Sequence, residues 1–305
     1  MKTVLLTGGT GFIGKKLTER LIARGDQVTI LTRDPSRAAG RLPKGASAVA
    51  WDPEREGPWF DEVARASAVI HLAGETVAQR WTPEARRRIE QSRVVSTRLV
   101  VEAIGRAAQK PTAFVSASAI GIYGARPAEE TLDESSKHGE GFLVDVCERW
   151  EAEARRAEEH GVRTTLLRIG IVLGEGGGPL EKMLLPFKLF AGGPIGNGDQ
   201  VVSWVHSDDV VGLALFALDD ERARGPINAV APSPVTSREL ASAIGRAMGR
   251  PSWFRTPAAM VKLAMGEAAM VVTTGQRVVP KRAAELGYTF LHPALDPALA
   301  SILRR

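Results

Sequence analysis

The residues with the clearest chemical purpose lie near the start of the chain, in Thr7-Gly8-Gly9-Thr10-Gly11-Phe12-Ile13-Gly14. The run follows a short β-like stretch, Lys2 to Thr7, and opens a helical stretch reaching Arg24. Glycines let the chain turn tightly and let backbone amides approach a ligand, and a helix N-terminus offers unpaired N–H groups with partial positive charge. In this strand–turn–helix context the pattern predicts a pyrophosphate cradle formed by Gly8, Thr10, Gly11, Phe12 and Ile13, with Gly14 allowing close helix–strand packing. The next strand, Gln27 to Thr32, runs into Arg33 rather than into the acid that binds a free ribose 2′-hydroxyl. A guanidinium there suits a 2′-phosphate, so NADP is the expected dinucleotide. NAD stays the alternative because Asp34 follows one step later.

The other reactive residue types are scattered. The single cysteine, Cys147, has no flanking base and only Arg149 as a nearby cation, which reads as inert burial. The five histidines show no metal-ligand spacing, so no metal is expected, and His71 in an apolar strand reads as a satisfied core histidine. Arg86, Arg87 and Arg88 share a helical stretch with Glu84 and Glu90 and no interleaved aromatic residues, the pattern of a solvated helix face rather than a nucleic-acid surface.

A cradle of this kind needs strands alternating with helices to hold it. Further strands are expected at 47–51, 68–72, 112–116 and 163–169, with a helix from Thr82-Pro83 toward Ala108 and another from Phe142 to His160 closed by Gly161. Gly25 stands where a left-handed C-terminal cap belongs. This alternation predicts an α/β Rossmann fold with a doubly wound parallel sheet. Beyond Gly174 the regularity fades. A strand at 200–205, a helix capped by Ser207, a strand at 226–230, a capping box of Thr236 with Glu239 and a mostly helical tail from Pro257 follow. The expected division is a nucleotide-binding domain over 1–173, completed by about 205–231, and a smaller interleaved C-terminal substrate lobe from 174–204 and 232–305. A small-molecule substrate would sit between them.

The chain has 305 residues, 44% hydrophobic and 25% charged, with net charge +5. Such a composition belongs to a globular protein. The longest apolar run, Val210 to Leu218, is too short to span a membrane. One cysteine and no secretory pattern after Met1-Lys2 lead to an expected cytoplasmic setting with no membrane partner, and a homodimer is left open.

Taken together, TGGTGFIG (7–14), LTR (31–33), HLAGE (71–75), RW (80–81), SR (92–93), SASAIGIYG (116–124), WE (150–151), RIGIVLGEGGG (168–178), GGPIGNGDQVVSWVH (192–206) and GQRVVP (275–280) resemble the extended and atypical short-chain dehydrogenase/reductases. The likeness is to the epimerase-family branch, NAD(P)-dependent nucleoside-diphosphate-sugar epimerases, and it covers almost the whole chain. It implies that Leu72, Ala73 and Gly74 line the nicotinamide-side ribose and that Thr32 and Arg33 hold the 2′-phosphate. Arg93 would point at phosphate or ribose, and Leu173 would lie near the nicotinamide.

The same resemblance implies a catalytic Ser with a Tyr and a Lys four residues apart on one helix, where a lysine and the cofactor lower the tyrosine pKa. Ser118 matches the serine and would polarise the reacting oxygen. Counting back from Glu151 puts Leu143 at the tyrosine position and Cys147 at the lysine position, and a one-residue shift gives Phe142 and Val146, so the dyad is missing. Tyr123, in the same post-strand loop as Ser118, and Glu75, directly after Ala73-Gly74, are the candidate replacements. Packing beneath the second lobe is the competing role for Tyr123, and a local backbone hydrogen bond for Glu75. His206 and Asp209 are expected to brace the second lobe. The resulting expectation is an NADP(H)-binding oxidoreductase or epimerase acting on a small polar molecule, nucleotide sugars included, with a catalytically inactive NADPH sensor as the alternative.

Overall fold

The computed structural model describes residues 1–303. The first half runs β1 (Thr3–Thr7), α1 (Phe12–Ala23), β2 (Gln27–Thr32), α2 (Pro35–Ala39), β3 (Ala46–Ala50), α3 (Phe60–Arg65), β4 (Ala68–His71), α4 (Pro83–Arg106) and β5 (Ala113–Ala119). Next come β6 (Thr131–Leu132), α5 (Phe142–Arg155), β7 (Arg163–Ile169), β8 (Ile171–Leu173), α6 (Gly178–Lys188), β9 (Val201–Val202), β10 (Trp204–His206) and α7 (Ser207–Asp219). The rest is β11 (Gly225–Ala229), β12 (Val235–Thr236), α8 (Ser237–Met248), α9 (Ala258–Met265), α10 (Met270–Thr273), β13 (Arg277–Val278), α11 (Lys281–Glu285) and α12 (Leu295–Leu303).

Seven strands make one sheet in the order β11-β7-β5-β4-β1-β2-β3, every neighbouring pair parallel. Alternation along β1 explains why both faces are covered. Val4 and Leu6 enter a core with Leu17 and Leu21 of α1 and Leu213 of α7, while Leu5 enters a second core with Trp59, Val100 and Phe114. The strand order reverses between β1 and β4, which opens a crevice at their carboxyl ends. The α/β doubly wound expectation therefore holds.

A third core gathers Leu173, Leu180 and Phe187 with Trp204, Leu240, Ile244 and Leu299. It draws on stretches far apart in sequence, and α12 closes it over α8. Asp209, fully buried in α7, accepts hydrogen bonds from the backbone N–H groups of Leu291 (2.7 Å) and His292 (2.9 Å), so it ties the tail to the sheet domain as expected.

Local chemistry accounts for most boundaries. Gly25 adopts φ +87° just past α1, Thr82 accepts from the Ala85 N–H to cap α4, and Thr236 and Glu239 form the full capping box. Three details differ. The expected 200–205 strand is broken at Ser203, whose hydroxyl accepts from the Val278 N–H and donates to the Gln276 carbonyl. The N-cap of α7 is His206, whose Nδ1 accepts from the Asp208 N–H at 3.0 Å, and Ser207 begins the helix. β8 went unrecognised because Gly170 bends the chain immediately after β7; a Cβ there would stand 2.5 Å from the Ser203 carbonyl oxygen.

Candidate functional site

The glycine turn sits at the reversal point of the sheet. Gly8 has φ +72°, and a Cβ on it would lie 2.9 Å from the Leu72 carbonyl carbon, so the turn is pressed against the exit of β4. A Cβ on Gly14 would come 2.1 Å from the Gly8 carbonyl oxygen, which brings α1 hard against the same turn. The Gly11 N–H closes the turn on that oxygen at 2.9 Å. Thr10 and Gly11 are exposed, and Phe12 and Ile13 half-buried. No side chain caps α1 and no acid stands in its first turn, so its leading amides face outward without a protein partner from a side chain. The positions reserved for glycine and the bare helix end fit a diphosphate.

The crevice wall is stitched together beneath the turn. Thr7 Oγ1 lies 2.7 Å from His71 Nδ1 and accepts from the Ala73 N–H, while His71 Nε2 lies 3.1 Å from Ser96 Oγ. Burial pushes His71 down to about 3, so it stays neutral, the satisfied core histidine that was expected.

Two guanidiniums stand along the crevice without a carboxylate partner among the described residues. Arg33 is exposed just past β2. Its neighbour Asp34 is occupied: Oδ1 accepts from the Arg37 N–H at 2.9 Å and caps α2. Arg93 lies half-buried with Cζ 5.3 Å from the Trp150 ring centroid and Nη1 donating to the Ile89 carbonyl. It sits under the β4 exit, where a Cβ on Gly74 would be 3.1 Å from Cζ, and burial pulls its pKa down. Leu72 and Ala73 line the exit half-buried, and Thr32 is half-buried at the end of β2. Leu173 has no exposed surface and its side chain belongs to the third core, so it presents nothing to the crevice.

The proposed catalytic trio divides. Ser118 is buried and donates to Glu151 Oε1 at 2.6 Å. Arg168 holds the same carboxylate with Nε on Oε1 (2.8 Å) and Nη2 on Oε2 (2.9 Å). Its Nη1 donates to Tyr123 Oη, which donates to Asn228 Oδ1 at 2.8 Å. Burial raises the Tyr123 pKa. Both groups are engaged inside the protein: the Ser118 hydroxyl donates to Glu151, and Tyr123 is fully buried with its phenol kept protonated. Tyr123 packs with Leu132, Cys147, Val230 and Val278. On α5, Leu143 and Cys147 lie against the turn after β5, with Cys147 Sγ 3.9 Å from where a Gly121 Cβ would be. Burial pushes the Cys147 thiol up to about 12. Glu75 is half-buried; its N–H donates to Ser92 Oγ at 2.9 Å and its Oε1 accepts from Gln79. No described residue hydrogen-bonds its Oε2.

Sequence reasoning missed the partners Glu151, Arg168, Asn228 and Glu134, the last of which accepts the Asn228 N–H. A charge inside the apolar run of β7 was the available signal, since a buried guanidinium requires an acid. Folding also brings the distant His292 to His206 and Asp208, which are near neighbours in sequence. Lys16 Nζ holds Asp208 at 2.8 Å and His206 Nδ1 is engaged as the α7 cap, so the cluster is an inter-element joint. A separate cavity of about 450 Å³ opens between the loop after β5 and the second lobe, its polar lining including Arg126, Asn197, Asp199, Gln200 and Thr274.

The family model described as NAD dependent epimerase/dehydratase matches residues 4–230, and a domain of unknown function matches 256–302. The chain is 41% identical to a chloroplastic epimerase family protein SDR39U1 homolog of Arabidopsis thaliana, over 99% of this chain and 87% of that protein. It is 35% identical to the Bacillus subtilis epimerase family protein YfhF, over 98% and 97%. The crystal structure of the human epimerase family protein SDR39U1 with NADPH superimposes with TM-score 0.86 at 35% identity, covering 99% of both chains. A UDP-glucose 4-epimerase of Thermotoga maritima shares the fold, with TM-score 0.83 at 20% identity. With the glycine cradle, the strand order and a family model over most of its length in agreement, the chain belongs to the NAD dependent epimerase/dehydratase family.

Proposed function

We propose that the chain is an NADP(H)-dependent oxidoreductase-type member of this family that acts on a small polar substrate without a tyrosine–lysine relay. The observation that carries the cofactor choice is the pair at the end of β2: Arg33 is exposed and unpaired, and Asp34 is diverted into the α2 cap. The NADPH bound by the human relative supports the same choice. When bound, the nicotinamide supplies or accepts a hydride. The amides of Gly8, Thr10, Gly11, Phe12 and Ile13 hold the diphosphate, Thr32 and Arg33 the 2′-phosphate, and Arg93 an adjoining anionic or ribose oxygen. Leu72, Ala73 and Gly74 shape the nicotinamide end. Glu75, through its free Oε2, moves the proton.

Calorimetric titration tests the cofactor. Arg33→Ala should weaken NADPH about 10- to 100-fold, the range for one charge-assisted contact, and leave NADH nearly unchanged. Equal losses for both would sink the assignment. A second reading, an NADPH-holding protein without turnover, is favoured by Leu143 and Cys147 at the dyad positions. Consumption of NADPH across a panel of aldehydes, ketones and nucleotide sugars separates the two. The enzyme reading requires turnover that Glu75→Gln lowers at least about tenfold, while NADPH binding is kept.

A further inference from the structure

Nine large hydrophobic side chains are strongly exposed among the described residues, and seven of them fall in two segments, 185–190 and 253–263. Leu185, Leu189 (69% exposed) and Phe190 project from the end of α6. Trp253 (72%) and Phe254 follow α8, and Met260 and Leu263 (79%) stand on α9, a helix with no buried residue. The two segments run side by side. The Phe254 N–H donates to the Gly192 carbonyl, Thr256 to Pro194, and Gly196 to Thr256. Arg250 stacks 4.4 Å from the Phe190 ring centroid. Phe190 is also the only described non-glycine residue with a positive φ, +58°, a strained conformation for an aromatic residue that its surroundings must hold.

The charge around this apolar face is predominantly positive. From 182 to 198 the only charged side chains are Lys182 and Lys188; from 240 to 266 they are Arg246, Arg250, Arg255 and Lys262. Arg246 pairs with Asp296, and the other five, all exposed, form no ion pair among the described residues. Glu181 borders the face, and Glu267 is spent on Arg86.

We propose that this face docks peripherally on a bilayer surface carrying anionic headgroups. Trp and Phe occupy the interfacial zone of a bilayer, where an apolar ring end and a polar end are both satisfied. A collar of Lys and Arg then reaches anionic headgroups while its methylene stems cover apolar surface. A second copy of the chain fits poorly, because a two-fold contact through this face would oppose two sets of five unpaired cations with only Glu181 at each border to offset them. No helix among the described residues is long and apolar enough to cross a membrane, so the contact is superficial, a mode of association that the lack of a spanning run leaves open.

The test is cosedimentation of the full chain with vesicles of phosphatidylcholine alone and of phosphatidylcholine mixed with phosphatidylglycerol, over a salt series. Pelleting should occur with the anionic vesicles, fall as salt rises, and shift tryptophan emission to the blue. The triple variant Arg250→Gln, Arg255→Gln, Lys262→Gln should lose about a hundredfold in partitioning, at about a factor of five per charge. Trp253→Ala with Phe254→Ala should abolish the blue shift, with thermal unfolding by circular dichroism unchanged for both variants. Failure of the folded wild type to pellet with anionic vesicles, equal pelleting on neutral ones, or indifference to both variants overturns the proposal. So does a dimer in sedimentation equilibrium that Trp253→Ala dissolves, which would assign the face to a second copy.

Discussion

At the Glu151 carboxylate three donors converge, Ser118 Oγ and two nitrogens of Arg168, in a place nearly closed to water. Burial alone would lower the Arg168 pKa, but the hydrogen bonds and charge of Glu151 outweigh it and raise it. Removing one partner strands the other, so Arg168→Met should cost about 3–5 kcal/mol in urea-induced unfolding, and Glu151→Gln with Arg168→Met together should cost less than the sum of the single changes. Additive losses would show that the pair is not coupled. Cys147, with its thiol pushed up to about 12 by burial, should resist Ellman's reagent in the native protein and react fully once unfolded. Rapid labelling of the folded chain would contradict that placement.

Glycines at element boundaries separate two physical roles that look alike in sequence. At Gly14 the problem is space: a methyl group would press on the Gly8 oxygen, so Gly14→Ala should open the turn, abolish measurable NADPH binding and lower the melting temperature. At Gly25 the problem is only the backbone, since φ is +87° and nothing lies within 4 Å of an added Cβ. Gly25→Ala should therefore cost about 1–2 kcal/mol and spare the nucleotide. Calorimetry and thermal unfolding on the two variants check the contrast. Periodicity and punctuation made β1, β2, β7 and the caps at Thr82 and Thr236 readable, because each rests on neighbours in sequence. The split at Ser203 and the strand after Gly170 were not readable, because both depend on contacts with residues brought in from afar, such as Val278. The same holds for the site: the cradle is local and was legible, whereas the Ser118–Glu151–Arg168–Tyr123 chain spans four elements.

Across the whole molecule, two buried histidines set the acid response. His71 is pushed by burial from an ordinary value of 6.5 to about 3, and His206 to about 4 by burial and the neighbouring His292. Both values are depressed in the folded state, so the unfolded chain takes up protons first. The stability they contribute is present above pH 6.5 and is lost as pH falls through the window down to about 4 for His206 and about 3 for His71. The expected slope is about 1.4 kcal/mol per pH unit for each fully engaged histidine. Urea midpoints measured from neutrality down to pH about 5 should fall accordingly, and His71→Asn should flatten the curve by about one proton. An unchanged slope would place the acid sensitivity elsewhere. The third core adds a constraint on biosynthesis. Because α12 supplies Leu299 to a nucleus shared with Leu173 and Trp204, that nucleus stays incomplete on the ribosome until residues near 300 have emerged. The glycine turn between β1 and α1, made from the first strands translated, can assemble well before then. During that interval a half-made chain would expose Leu180, Phe187 and Trp204 to any chaperone within reach.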